Sequence, residues 1–110
     1  MSLTLRRAEF FIEDFDRQVS WYVEQAGDTV ARRFTAAVWD SLGAIVAQPG
    51  IGKRRRFRHS KLKGLHSFRV APPYDVHLIF YRLAESELIA ERLMSGRRDL
   101  AQRLRERPEM

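Results

Sequence analysis

The sequence predicts an α+β fold in which an N-terminal helical hairpin packs on one face of a small, curled, mainly antiparallel sheet, in the order β-α-α-β-β-β-α. Three observations carry this. Between Ala8 and Ile45 apolar residues recur every three or four positions, the spacing that turns one stripe of an α-helix toward a core. Two later runs, Val76 to Arg82 and Glu87 to Met94, are rich in Val, Ile, Leu, Phe and Tyr and are joined by the polar link Ala84-Glu85-Ser86. Runs of that length and composition suit neighbouring antiparallel strands. Between the two halves lies Pro49-Gly50-Ile51-Gly52, a stretch that cannot continue a helix.

In chain order, Leu3 to Arg6 alternates apolar and polar residues and reads as a short first strand at a sheet edge. From Ala8 to Ala26 the stripe is Phe11, Phe15, Val19, Tyr22 and Val23. Gly27 suits a left-handed helix end, and Asp28 after it is placed to accept the first free amides of a second helix. That helix carries Val30, Phe34, Val38, Leu42 and Ile45, and the tight link makes the two helices an antiparallel pair. Leu65 to Ala71 resumes strand character, and Pro72-Pro73-Tyr74-Asp75 is a turn into the strand that begins at Val76. Within that strand Val76, Leu78 and Phe80 share one face and His77, Ile79 and Tyr81 the other, because side chains alternate. Helices covering one face would leave the face of His77 and Tyr81 partly open to a ligand. Ser95 or Gly96 is expected to cap a last helix, with Asp99 in its first turn, Arg103, Arg105 and Arg107 toward its end, and Pro108 fraying the tail.

A chain of 110 residues gives one domain, 1–110, with a modest core. Its longest apolar run, Leu78 to Tyr81, is too short to span a bilayer. There is no cysteine and no secretory pattern in Met1 to Arg7, so the expectation is a soluble cytoplasmic protein. A formal net charge of +6 draws such a protein toward nucleic acid, anionic lipid or an acidic protein; charge alone does not choose among them.

The charge is concentrated in Lys53-Arg54-Arg55-Arg56-Phe57-Arg58-His59-Ser60-Lys61-Leu62-Lys63, seven cations in eleven positions with no acid. Self-repulsion predicts an exposed, mobile loop, either a solvated charge run or a surface for phosphates or acidic protein. The dominance of arginine, whose fork meets phosphate or carboxylate at two points, favours binding. His59, His66 and His77 match no common metal-ligand spacing, so no metal is expected, and no cofactor. Trp21 and Trp39 read as packing within the helical hairpin. Gly50-Ile51-Gly52 follows a helix instead of a strand and so fails the context of a dinucleotide loop.

The set Ala8 to Tyr22, Pro49 and Gly52, Leu62-Lys63-Gly64-Leu65, Leu78-Ile79-Phe80-Tyr81-Arg82 and Gly96-Arg97-Arg98-Asp99-Leu100, in that order, resembles the RelE/ParE superfamily of type II toxin-antitoxin toxins. The resemblance covers nearly the whole chain. It implies a toxin neutralised in a hetero-oligomer by a cognate antitoxin, whose acidic or amphipathic C-terminal segment wraps the toxin. Arg54, Arg55, Arg56, Arg58, Lys61, Lys63, His66, Arg69, Arg82, Arg97 and Arg98 are then the candidates for antitoxin or target binding.

Two targets are implied. The RelE-like branch cleaves messenger RNA on the ribosome, and the ParE-like branch poisons DNA gyrase. Metal-free RNA cleavage needs a base, an acid and cations around the phosphate. Arg69, Arg82, Arg97 and Arg98 would supply the cations, with Arg98 matching an arginine that RNA-cleaving members use, and His77 or Tyr81 the proton transfer. Yet no Tyr or His follows Tyr81, and the hairpin turn reads Pro73-Tyr74-Asp75, with an acid where those members carry an arginine. The residues therefore resemble the ParE branch more closely. Ser95 and His66 stand where many of that branch have His and Arg, which leaves target and potency open. A ribonuclease is the alternative, and a non-toxic basic binding module of the same fold a third reading.

Overall fold

The computed structural model describes residues 3–96 and 100–108. Strand β1 (Thr4–Arg7) leads into helices α1 (Glu9–Ala26) and α2 (Asp28–Ala47), followed by a 3₁₀ turn at Pro49–Ile51. Then come β2 (Lys53–Arg54), a second 3₁₀ turn (Ser60–Leu62), β3 (His66–Arg69), β4 (His77–Ala84), β5 (Glu87–Ser95) and helix α3 (Leu100–Arg105). The strands form one sheet in the order β1-β5-β4-β3-β2. Every pairing is antiparallel except β1 with β5, so the expected architecture is present with one short strand more than the sequence suggested. No helix among the described residues is long and apolar enough to cross a membrane.

That extra strand corrects the reading of the basic run as a mobile loop. Lys53 and Arg54 pair with Ser67 and His66 at the sheet edge, and the Arg55 amide donates to the Leu65 carbonyl at 2.8 Å. Leu62, inside the same run, is buried. Two apolar residues among the cations anchor what charge repulsion alone would have loosened.

The hairpin forms as its periodicity predicts. Phe11 of α1 and Phe34, Val38, Leu42 and Ile45 of α2 are buried against Ile79, Tyr81, Leu88, Ala90 and Leu93 of the sheet. Each large side chain so enclosed contributes about 1.5–3 kcal/mol. Val23 is 42% exposed, because the stripe drifts off the core at the last turn of α1. Gly27 ends α1 with φ 91° and ψ 170°, a region essentially restricted to glycine. Its amide donates to the carbonyls of Tyr22 and Val23. Gly27 is itself the cap of α2; the Asp28 side chain makes no capping bond and lies in the first turn, where its charge complements the helix dipole.

The two faces of β4 are assigned oppositely to the sequence expectation. Ile79 and Tyr81 lie under the helices, with His77 beneath Tyr22 and Phe34, whereas Leu78 and Phe80 pack on the other side with Leu62, Leu65, Met94 and Leu104. The alternation was legible. Both stripes are apolar, however, so alternation does not say which one the helices take. The outer face is covered in part by α3 and the Ser60–Leu62 turn, giving a second small core. Trp39 packs on Phe15 across the hairpin, ring centroids 6.0 Å apart, and Trp21 on Tyr22 at 5.2 Å, as the packing reading expects, but at 40% and 51% exposed both lie at its rim. Pro108, expected in a frayed tail, is buried, and Ser95 is the last residue of β5 and caps no helix. Arg97, Arg98 and Asp99 lie outside the described residues.

Candidate functional site

The residues with chemistry in them sort into those committed to holding the chain and those left facing solvent. His77 is 5% exposed and shares a hydrogen bond with the Tyr22 hydroxyl, 2.9 Å from its Nε2. Burial pushes its pKa below the ordinary histidine value, since charging it inside an aromatic box forfeits hydration. Tyr81 is fully buried. Its hydroxyl donates to the Pro49 carbonyl at 2.7 Å and accepts the Gly52 amide at 3.0 Å; burial raises its pKa, against the opposing pull of that amide. His66 stacks on the Tyr81 ring, centroids 5.2 Å apart.

Several arginines are structural in the same sense. Arg55 Nε donates to Ser67 Oγ at 2.7 Å, and its guanidinium lies 5.9 Å from the centre of the Phe80 ring. Arg82 places its two Nη atoms on the carbonyls of Lys61 and Lys63 and its Nε 3.7 Å from Glu91, pinning the second 3₁₀ turn to the sheet. Arg69 is exposed and donates to the Asp75 carbonyl at 2.8 Å. Arg69 pairs with Leu78 across β3 and β4, and Arg82 lies four positions on along β4, so both occupy the face away from α1 and α2. His77 and Tyr81 occupy the opposite face.

Sequence reasoning missed the pair that organises the outer layer. Asp14 of α1, 1% exposed, receives Arg92 Nε at 2.7 Å, Arg92 Nη2 at 3.1 Å and the Leu93 amide at 3.0 Å. β1 pairs with β5 only as far as Ala90, and beyond that point the Asp14 carboxylate takes the place of a neighbouring strand. Arg92 Nη1 then donates to the carbonyls of Arg103, Leu104 and Glu106, a cation at the C-terminal end of α3, where the helix dipole favours it. The signal was there: an acid inside the Phe11–Phe15 stripe, and an arginine inside the run Leu88 to Met94. Charged residues are almost never buried unless paired.

Left facing solvent are Lys53, Arg54, Arg56, Arg58, Lys61 and Lys63, all exposed and none ion-paired among the described residues. Beside them a cleft of about 390 Å³ opens between the start of α1, the second 3₁₀ turn and α3. Glu9, Glu91, Lys61, Arg82 and Arg105 line it, so both signs of charge meet there. Of the predicted binding residues, the structure thus leaves the cations of 53–63 on one exposed basic border that runs from β2 at the sheet edge to the second 3₁₀ turn over the outer face, with Arg82 beneath that turn. It removes His77 and Tyr81 to the other side, and His66 to the Tyr81 ring.

The architecture recurs in solved toxin-antitoxin proteins. It is similar to the chromosomal ParDE system from P. aeruginosa, with a TM-score of 0.72 at 15% identity over 87% of this chain and 98% of that one. It is also similar to the RelBE2 toxin-antitoxin complex from Mycobacterium tuberculosis, at 0.58 and 17% over 86% and 99%. A mutant of the E. coli toxin RelE in the free state gives 0.56 and 10% over 94% and 90%. The fold is therefore that of the RelE/ParE toxins. By sequence, residues 5–100 match the ParE toxin of the type II toxin-antitoxin system, parDE, and the chain belongs to that family. No match is found among curated proteins.

Proposed function

We propose that this ParE-family chain is the growth-arresting member of a toxin-antitoxin pair, neutralised by the acidic or amphipathic C-terminal segment of a cognate antitoxin, and that it acts on DNA gyrase instead of cutting RNA. The observation that carries the reading is the separation across the sheet. The groups that would have moved protons, His77 and Tyr81, are enclosed beneath the helices and bonded to Tyr22, Pro49 and Gly52. Arg69 and Arg82 lie on the far face. General acid-base cleavage needs both sets within reach of one phosphate. Membership of the ParE family supports the gyrase half of the proposal.

The test is supercoiling of relaxed plasmid by purified gyrase with the added chain. The expected outcome is loss of supercoiling, restored by a stoichiometric amount of antitoxin. Unimpaired supercoiling, together with new messenger RNA ends after expression in cells, would replace this reading with the ribonuclease. Harmless expression without any antitoxin would leave the non-toxic binding module.

A further inference from the structure

The six free cations of the 53–63 edge have no task in the framework just described. We propose that this edge is a docking surface for the phosphate backbone of double-helical DNA, bound by the toxin itself and without regard to base sequence. The inference goes beyond the choice of gyrase as target and does not need it.

The composition of the exposed layer selects the partner. The segment holds two large apolar residues, and both face inward: Phe57 packs against the outer core and Leu62 is 4% exposed within it. What remains outside is cationic. An amphipathic protein segment binds through apolar anchors set in pockets; the one cleft described beside these cations meets only their Lys61 end, and there Glu9 and Glu91 line it and repel an acidic segment. The exposed aromatic residues Trp21 and Trp39 lie on the helical hairpin instead. Single-stranded nucleic acid is held by aromatic platforms on which bases stack, and the one aromatic ring of the segment besides His59 is the inward Phe57. A duplex asks only for cations spaced along its backbone.

Edge protection explains less of the pattern. Charged side chains on an edge strand discourage pairing with another chain, but β2 is Lys53–Arg54 alone, and four of the six cations lie beyond it. Nor is the segment a loose charge run, because its backbone is fixed at three points. The Tyr81 hydroxyl holds Pro49 and Gly52 at its entrance, Ser67 and the Leu65 carbonyl hold Arg55, and Arg82 grips the carbonyls of Lys61 and Lys63. Fixing the backbone while leaving the charged heads free lowers the ordering cost of binding a polyanion, and the arginine forks match phosphate oxygens at two points.

The measurement is fluorescence anisotropy of the full-length chain with two labelled duplexes of unrelated sequence, between about 50 and 200 mM salt. Both duplexes should bind equally, with log affinity falling against log salt at a slope of about −4 to −5, as for five or so neutralised phosphates. Arg56→Gln with Arg58→Gln should flatten that slope by about 2 and weaken binding at least tenfold. The charge-matched pair Arg32→Gln with Arg33→Gln, on exposed positions of α2, should leave slope and affinity within about twofold. All four positions are exposed and without an ion-pair partner among the described residues, so thermal melts of both variants should coincide with the parent and separate lost contact from lost fold. Equal losses in the two variants would show that net charge alone acts and would overturn the proposal. So would a single strand binding more tightly than the duplex, a poly-glutamate peptide competing as well as DNA, or no binding at the lowest salt.

Discussion

The inner and outer faces of the sheet draw on the same polar residue types and put them to different ends. Beneath the helical hairpin polar atoms are paired with near neighbours: Tyr22 with His77, Tyr81 with Pro49 and Gly52, and Ser41 with the Ala37 carbonyl and the Ala71 amide. On the outer face Arg55, Arg82 and Arg92 are likewise bonded, while the other six cations of the 53–63 edge have no ion-pair partner among the described residues. The difference is in the supply of partners. A face closed by two long helices finds partners for most of the polar side chains it buries, His66 Nδ1 excepted, and a face closed only by a six-residue helix and a 3₁₀ turn leaves charge over. Residue type therefore says little about function here until the local partners are known, and the comparison can be broken at both ends.

The largest effect is expected at the buried charged pair that bridges the two regions. Removing Asp14 as Asp14→Ala leaves a guanidinium enclosed without its counter-charge and the Leu93 amide without an acceptor. The cost of breaking such a pair from one side is about 3–5 kcal/mol. Urea unfolding should show it as a lower midpoint at unchanged slope. Because desolvation offsets much of the attraction in an intact buried pair, Asp14→Leu with Arg92→Met should recover most of that loss. A single variant no worse than an exposed charge change, about 0.5 kcal/mol, would mean that α3 and the β5 edge are held by something else.

A smaller effect is expected where the inner face supports the basic edge. A Cβ built on Gly52 meets the Tyr81 hydroxyl oxygen at 2.3 Å and ring carbons at 2.7 and 2.8 Å. The Tyr81 ring is fully buried and its hydroxyl is doubly bonded, so it has nowhere to swing. Gly52→Ala should cost about 1–3 kcal/mol, the range for overpacking a filled core, and should raise amide exchange in the 49–54 segment more than in the helices. Exchange rising evenly over the whole chain would show that the tyrosine does not anchor the edge.

How far this comparison was legible in the sequence varies by residue. The helical stripe from Phe11 to Ile45, the strand pair and the Pro49-Gly50 break follow from local periodicity and turn chemistry, and they fixed the architecture and its family resemblance. The assignment of His77 and Tyr81 to the open face failed because Leu78 and Phe80 are as apolar as Ile79 and Tyr81, and only contacts between distant segments decide which stripe the helices cover. The Asp14–Arg92 pair spans 78 positions, beyond any local pattern, though each residue was out of place in its apolar run. Composition identified the cations of the basic edge, but its rigidity rests on Arg82, Tyr81 and Ser67, which only the fold brings beneath it.

The smallest effect is expected at the histidine that the inner face encloses. His77 faces Tyr22 of α1 and Phe34 of α2, Tyr74 packs against both of those rings, and its partner across the sheet is Ser95; no carboxylate stands among them to compensate a proton. Its pKa in the folded chain is lowered by burial from the ordinary histidine value of 6.5. Below that value the unfolded chain takes up a proton that the folded chain refuses, so unfolding gains. Stability is then level above about pH 6.5 and falls as pH drops through the window between the unfolded and the lowered folded value. His77→Phe removes the titrating group while keeping an aromatic ring in the box. Its urea midpoint should start lower, for the lost bond to Tyr22, and should decline less than the parent's between about pH 6.5 and pH 5. Parallel declines in parent and variant would place the acid sensitivity elsewhere and show that folding does not hold His77 uncharged in this range.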